Sequence, residues 1–136
     1  PRIKTRYRKS LACVYLDVNG LHELNNAKGH SAGDTMLKTV AMEIRKQFGA
    51  DLTYRIGGDE FLVFVPDAPE AETDRKLRKL AETLEKEDYH ISAGVQWEEE
   101  ISSIASLIKA AEKKMYAAKK AYYDQEVHDR RKKMRL

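Results

Sequence analysis

Cysteine is nearly absent from this sequence: there is a single one, Cys13, set within an apolar run. One thiol closes no internal disulfide and builds no CxxC metal site, so a reducing, cytoplasmic setting is the default expectation. No stretch approaches the roughly 18 consecutive apolar residues of a membrane span, and no membrane contact by this segment is expected. There are three prolines, no low-complexity segment and no internal repeat, which excludes proline-rich and repeat architectures. The net charge is only +3, too weak by itself to argue for a nucleic-acid partner, and none is expected. That charge is uneven, since residues 2–9 and 130–136 carry five Lys or Arg each; both runs read as solvated ends of helices. The basic start leads straight into a strand-like run containing Asp17, so it does not read as a secretion signal. What remains fits one compact domain: 42% apolar residues for a core and 35% charged residues for solvated helices.

Leu11 to Val18 is an almost unbroken apolar run of strand length ending at Asn19-Gly20, as suits a central strand buried on both faces. Leu21 to Lys28 predicts a short helix closed by Gly29. Ser31 to Phe48 predicts a second, with Met36, Leu37, Val40, Ala41 and Ile44 at helical spacing and Gly49 as its end. Asp51 to Ile56 and Phe61 to Val65 read as strands joined by Gly57-Gly58-Asp59-Glu60, a hairpin signal closed by Pro66 and Pro69. Glu70 to Lys86 predicts a charged amphipathic helix, Tyr89 to Trp97 a strand, and Ile101 to about Tyr123 a long helix. The order β-α-α-β-β-α-β-α, with helices around a central hairpin, predicts an α+β, ferredoxin-like fold with a mixed sheet flanked by helices.

Two acidic positions stand where chemistry is often built. Asp17 lies near the end of the buried strand, where a carboxylate must be paired, hydrogen-bonded or metal-bound. Asp59 and Glu60 lie at the hairpin tip. If the strand lies beside the hairpin, these groups converge, and Mg²⁺ characteristically takes one or two carboxylates plus substrate phosphates. Gly57 and Gly58 would let a bulky nucleotide lie against the backbone. The same residues also fit an Asx-turn and an ordinary polar hairpin tip. Asn25 and Asp34, on successive helices around Gly29-His30, carry the donors and acceptors to read a guanine edge. Yet Asp34 equally fits a helix-start capping pattern and Asn25 a solvated helix face. Lys119, His22 and His30 are unremarkable singly, and no zinc spacing is present. Tyr116, Tyr122, Tyr123 and Trp97 read as packing or partner-facing aromatics.

Together these residues spell a known pattern. Arg55 to Phe61 contains Gly-Gly-Asp-Glu-Phe. Asp17 to Asp34 resembles the D-x-D-x-F-K-x-x-N-D-x-x-G-H-x-x-G-D segment of the GGDEF family of diguanylate cyclases. Ile91 to Val95 and Ala111 to Lys119 resemble the family's later strand and last helix. The resemblance covers roughly residues 11–124, with residues 125–136 left as a basic tail. It implies a palm-type nucleotidyl cyclase fold that condenses two GTP into cyclic di-GMP, with Mg²⁺ or Mn²⁺, as a homodimer in bacterial signalling.

Position by position, it implies that Asp17, the Val18 carbonyl, Asp59 and Glu60 hold metal, and that Asp59 and Glu60 act in catalysis. Asn25 and Asp34 would recognise guanine. Asn19, Gly20 and Leu21 would offer backbone N–H groups to the phosphates, Lys119 would neutralise phosphate charge, and Gly57 and Gly58 would border the substrate.

The departures from the pattern matter too. Leu21-His22 replaces Phe-Lys, Asn19 replaces Asp, and Tyr122-Tyr123-Asp124 stands where the family has G-R-N, so one phosphate-contacting cation is missing. Phe48-Gly49-Ala50-Asp51 lacks the arginine of the family's R-x-x-D product site, so strong feedback inhibition there is not expected. The family's opening segment is not seen, and an upstream sensory or dimerisation domain is expected. The competing expectation is a domain of weak or no activity that binds GTP and regulates an attached or partner domain.

Overall fold

A computed structural model describes residues 10–101 and 103–134; the basic run at residues 2–9, and residues 135 and 136, lie outside them. Strand β1 (Leu11–Asn19) is followed by helices α1 (Leu21–Lys28) and α2 (His30–Phe48). The hairpin of β2 (Thr53–Arg55) and β3 (Glu60–Pro66) comes next, then α3 (Glu70–Glu85), β4 (His90–Glu98) and α4 (Ile104–Met134). The expected order of elements therefore holds.

The four strands form one sheet in the order β2-β3-β1-β4. Every pairing is antiparallel, which corrects the expectation of a mixed sheet. The reason is that each helical crossover skips a position. The chain leaves β1, crosses through α1 and α2, and lands at β2 with β3 in between. It leaves β3, crosses through α3, and lands at β4 with β1 in between. Each crossover restores the strand direction, but an antiparallel neighbour always fills the gap, as in a split βαβ arrangement.

Strand β1 is buried along its whole length because it is central and covered on both faces. Its period-two alternation divides the core. Val14, Leu16 and Val18 pack with Met36, Val40 and Ile44 of α2 and with Leu80 and Leu84 of α3. Leu11, Cys13 and Tyr15 pack on the other face with Leu107, Ala111 and Met115 of α4. Each fully buried aliphatic side chain contributes about 1.5–3 kcal/mol, so the two half-cores are the main source of stability. Burial pushes the Cys13 thiol up to about 12, making it a packing residue rather than a nucleophile.

Three boundaries differ from expectation. The last helix runs past Tyr123 to Met134, so residues 125–134 of the expected tail continue α4. The first hairpin strand shrinks to Thr53–Arg55. Helix α2 starts at His30 after Gly29 with no side-chain cap, so Asp34 sits inside the helix and does not cap it. Among the described residues, no helix is long and apolar enough to cross a membrane.

Candidate active site

Because odd-numbered residues of β1 face α4, Asp17 projects toward that helix. Its Cα partners are Glu60, the first residue of β3, and Ser92 on β4. Beside this pair, the Val18 N–H donates to the Asp59 carbonyl at 2.9 Å, which anchors the hairpin tip to the end of β1. From α4, Lys119 Nζ donates to Asp17 Oδ2 at 3.1 Å. Asp17 is 2% exposed, and its second oxygen, Oδ1, is buried with no hydrogen-bond partner among the described residues.

Three carboxylates therefore gather around one ammonium, and the titration behaviour reflects that imbalance. Burial raises the Asp17 carboxyl; the hydrogen bond from Lys119 lowers it, but Asp59 raises it again, and the net result lies above the usual carboxylate range. Glu60 is raised first by burial, then by the charges of Asp17 and Asp59. Burial pulls Lys119 down, yet the hydrogen bond and charge of Asp17 outweigh that and hold the ammonium above its ordinary value. Like charges placed opposite each other across strands are destabilising. A site that keeps Glu60 against a buried Asp17 is short of positive charge.

The bend Gly57-Gly58 lies on the rim. Neither glycine has a positive φ, so the turn itself does not demand them. A Cβ on Gly58 would meet nothing, and one on Gly57 would meet Glu60 Oε1 at 3.3 Å. The glycines leave open space beside Glu60. Arg55 braces the bend, its guanidinium donating to the carbonyls of Gly57 and Gly58.

Two further groups continue from this same C-terminal end of β1, at the turn into α1 and on the α1–α2 pair. Asn19 is buried, and its Oδ1 accepts from Ser92 Oγ at 3.0 Å. Gly20 turns the chain into α1 with φ 77°, a conformation open to glycine at little steric cost. Its N–H donates to Tyr123 Oη of α4 at 3.1 Å. Leu21 is half-buried against the core. Asn25 lies in α1 against Gly33 of α2, so close that a Cβ there would collide with Asn25 Oδ1 and approach Leu21 Cδ1 at 3.0 Å. That Oδ1 is buried without a partner among the described residues, while Asp34, the residue after Gly33 in α2, is exposed.

Comparisons with known proteins identify the family. The family model for "Diguanylate cyclase, GGDEF domain" matches residues 2–125. The chain belongs to the GGDEF family. Its relatives include the diguanylate cyclase TpbB of Pseudomonas aeruginosa, 43% identical over 65 residues, which are 47% of this chain and 15% of TpbB. They also include the diguanylate cyclase DgcP of the same species, 32% identical over 125 residues, 84% of this chain and 18% of DgcP. The matched stretch thus spans less than a fifth of either protein's own length. Among solved structures, the isolated GGDEF domain of P. aeruginosa TpbB superposes with a TM-score of 0.77 at 30% identity, covering 85% of this chain and 74% of that one. The GGDEF domain of DgcB from Caulobacter crescentus, solved with c-di-GMP, superposes at 0.74 with 21% identity over 82% and 73% of the chains, a likeness of fold.

Within this GGDEF domain, Asp17, Val18, Asp59, Glu60 and Lys119 meet at one end of β1. Asn25 and Asp34 sit on the neighbouring α1–α2 pair. Lys119, unremarkable as an isolated residue, is brought to Asp17 by the packing of α4 on β1. Four contributors escaped the reading of single residues: Arg55, Gly33, Ser92 and the Tyr123 hydroxyl. Arg55 stands in the quoted motif and carries a local signal. Gly33 and Ser92 also stand within the quoted segments and Tyr123 at a quoted departure, but what each of them touches is set across the fold. Among the described residues, no three His, Cys, Asp or Glu side chains cluster tightly enough to hold a metal alone. The orphaned Asp17 Oδ1 and the charge-poor pair with Glu60 nevertheless suit a hard divalent ion that takes its remaining oxygens from substrate and water.

Proposed function

We propose that this domain is a diguanylate cyclase that condenses two GTP into cyclic di-GMP with release of pyrophosphate, working as a homodimer in the cytoplasm. The observation that carries the reading is the juxtaposition of Asp17 and Glu60 across β1 and β3, with Lys119 on the same face and a buried carboxylate oxygen left free. Asp17 and Glu60, with the Val18 carbonyl and Asp59, would hold Mg²⁺ or Mn²⁺. Such an ion would supply the positive charge that makes a 3′-hydroxyl nucleophilic and an α-phosphate electrophilic.

The chain's own residues do the remaining work. Asp59 accepts the proton of the attacking hydroxyl, and Lys119 moves its charge between Asp17 and a phosphate. Gly57 and Gly58 leave the substrate room. Asn25 and Asp34 receive the guanine edge, whose N–H donors match their free oxygens. Orientation and charge neutralisation carry most of such a displacement. An upstream sensory or dimerisation domain would bring two copies face to face.

Incubation of concentrated protein with GTP and Mg²⁺ tests this directly. Cyclic di-GMP should form, with activity per molecule rising as concentration drives dimerisation. Bound GTP without product in an enforced dimer would reject it. A second reading, a GTP-binding regulator of an attached or partner domain, is favoured by one observation: Tyr123 already occupies the Gly20 N–H. Tight binding without turnover in calorimetry would favour it.

Base reading has its own signature. Asn25→Ala, or Gly33→Ala whose new methyl would drive Asn25 aside, should lower the preference for GTP over ATP about ten-fold. Competition binding with the two nucleotides measures it, and an unchanged preference refutes the role of Asn25.

A further inference from the structure

Helix α4 reaches the β1–α1 segment at two points one helical turn apart. Lys119 takes the Asp17 carboxylate at 3.1 Å, and Tyr123 takes the Gly20 N–H at 3.1 Å. The second contact is unusual in what it occupies. Helix α1 has no side-chain cap of its own at its start, and the acceptor for Gly20 comes from 103 residues away. The Tyr123 oxygen therefore stands where an oxygen acceptor for the Gly20 N–H would have to stand. One N–H carries one hydrogen and serves one good acceptor at a time.

The hydroxyl is also well supported. The Tyr123 ring meets Tyr122 edge-on at 5.2 Å, Tyr122 lies 5.6 Å from His90, and His90 Nε2 is 3.1 Å from Asp88 Oδ1. This chain of contacts ties the segment of α4 around Tyr123 to the start of β4. A tyrosine held in this way loses little freedom on making its bond, so the contact competes well against an incoming ligand.

We infer that Tyr123 is a specificity residue that weakens the reading of the phosphate chain, its hydroxyl competing with a phosphate oxygen for the Gly20 N–H. The inference rests on the GTP reading above and adds to it. Base recognition, through Asn25 and Asp34, lies on α1 and α2 and is independent of the hydroxyl. The phosphate increment is not, because a triphosphate must displace a bond that guanosine leaves untouched. The native site thus gains less from phosphates than its backbone geometry allows.

Calorimetry on the native chain and on Tyr123→Phe, with guanosine and with GTP and Mg²⁺ as the two probes, tests the inference. Tyr123→Phe should bind GTP about five-fold more tightly and guanosine unchanged, so the ratio of the two affinities widens. Tyr123→Leu, which also lacks the hydroxyl, should move in the same direction and covers the case in which one variant fails to fold. GTP affinity that is unchanged or weaker in the folded variants overturns the inference. So does a shift of guanosine by the same factor, which would mean that α1 itself had moved. Absence of binding by guanosine and GTP to native and variant chains alike would instead bring down the GTP reading beneath it, and the inference with it.

Discussion

Glu60→Gln is expected to reduce cyclic di-GMP formation by roughly 10³-fold or more, since a neutral amide cannot supply the charge that several kcal/mol of ion-mediated stabilisation requires. The same substitution should make the ligand-free fold more stable at neutral pH. Glu60 faces the buried Asp17 across the sheet, and burial followed by the charges of Asp17 and Asp59 raises its pKa in the folded state. A carboxyl raised on folding adds stability that is fully present below its unfolded value, near 4.3, and is lost as the pH climbs through the raised value. Native protein should therefore gain stability from this group on mild acidification. Glu60→Gln should lack that gain, and its advantage in Tm should be largest at neutral pH and shrink toward pH 4. Paired thermal melts across that range decide the matter. Lower stability of the variant at neutral pH would contradict the charge-poor description of the site. Preserved turnover would remove Glu60 from the chemistry.

Gly94→Ala is expected to cost about 3 kcal/mol, a fall of about 10 °C in Tm, which circular dichroism melts would measure. Gly94 sits on β4 opposite Tyr15, where α4 crosses the sheet so closely that a Cβ would collide with the Ala111 carbonyl and the Met115 N–H group. These are backbone atoms and cannot rotate away, so the helix itself must move. Because α4 carries Lys119 and Tyr123, that movement should also loosen their contacts with Asp17 and Gly20. Catalytic loss in Gly94→Ala should accordingly exceed what the unfolded fraction explains at temperatures well below the transition. A variant as stable as the native chain would show that α4 and β4 have slack between them.

Local signals in this chain were strong where one residue type answers one local demand. The unbroken run Leu11 to Val18 announced a strand buried on both faces, since only such a strand lacks a polar side. Gly29 and Gly49 marked helix ends, and the hairpin was written in two apolar runs around Gly57-Gly58. The Asp17 carboxylate at the end of a buried run was legible for the same reason, because charge in such a place needs a partner. Signals failed where geometry between distant elements decides. Strand direction was misjudged because the alternation of apolar residues does not say how many positions a crossover skips. The end of α4 was misjudged because the solvated stretch from Gln125 to Lys133 has no apolar period, although nothing in it stops a helix.

Residue order alone determined the elements, their sequence and the acids that carry the proposed chemistry, because helical and strand periods and buried charge are properties of neighbours along the chain. Only the tertiary structure decided that Lys119 belongs to Asp17, that Gly33 makes room for Asn25, and that Tyr123 takes the Gly20 amide. Those pairings join atoms far apart in the chain, and whether two such groups meet depends on the packing of α4 and α2 on the sheet, to which no single stretch of sequence refers.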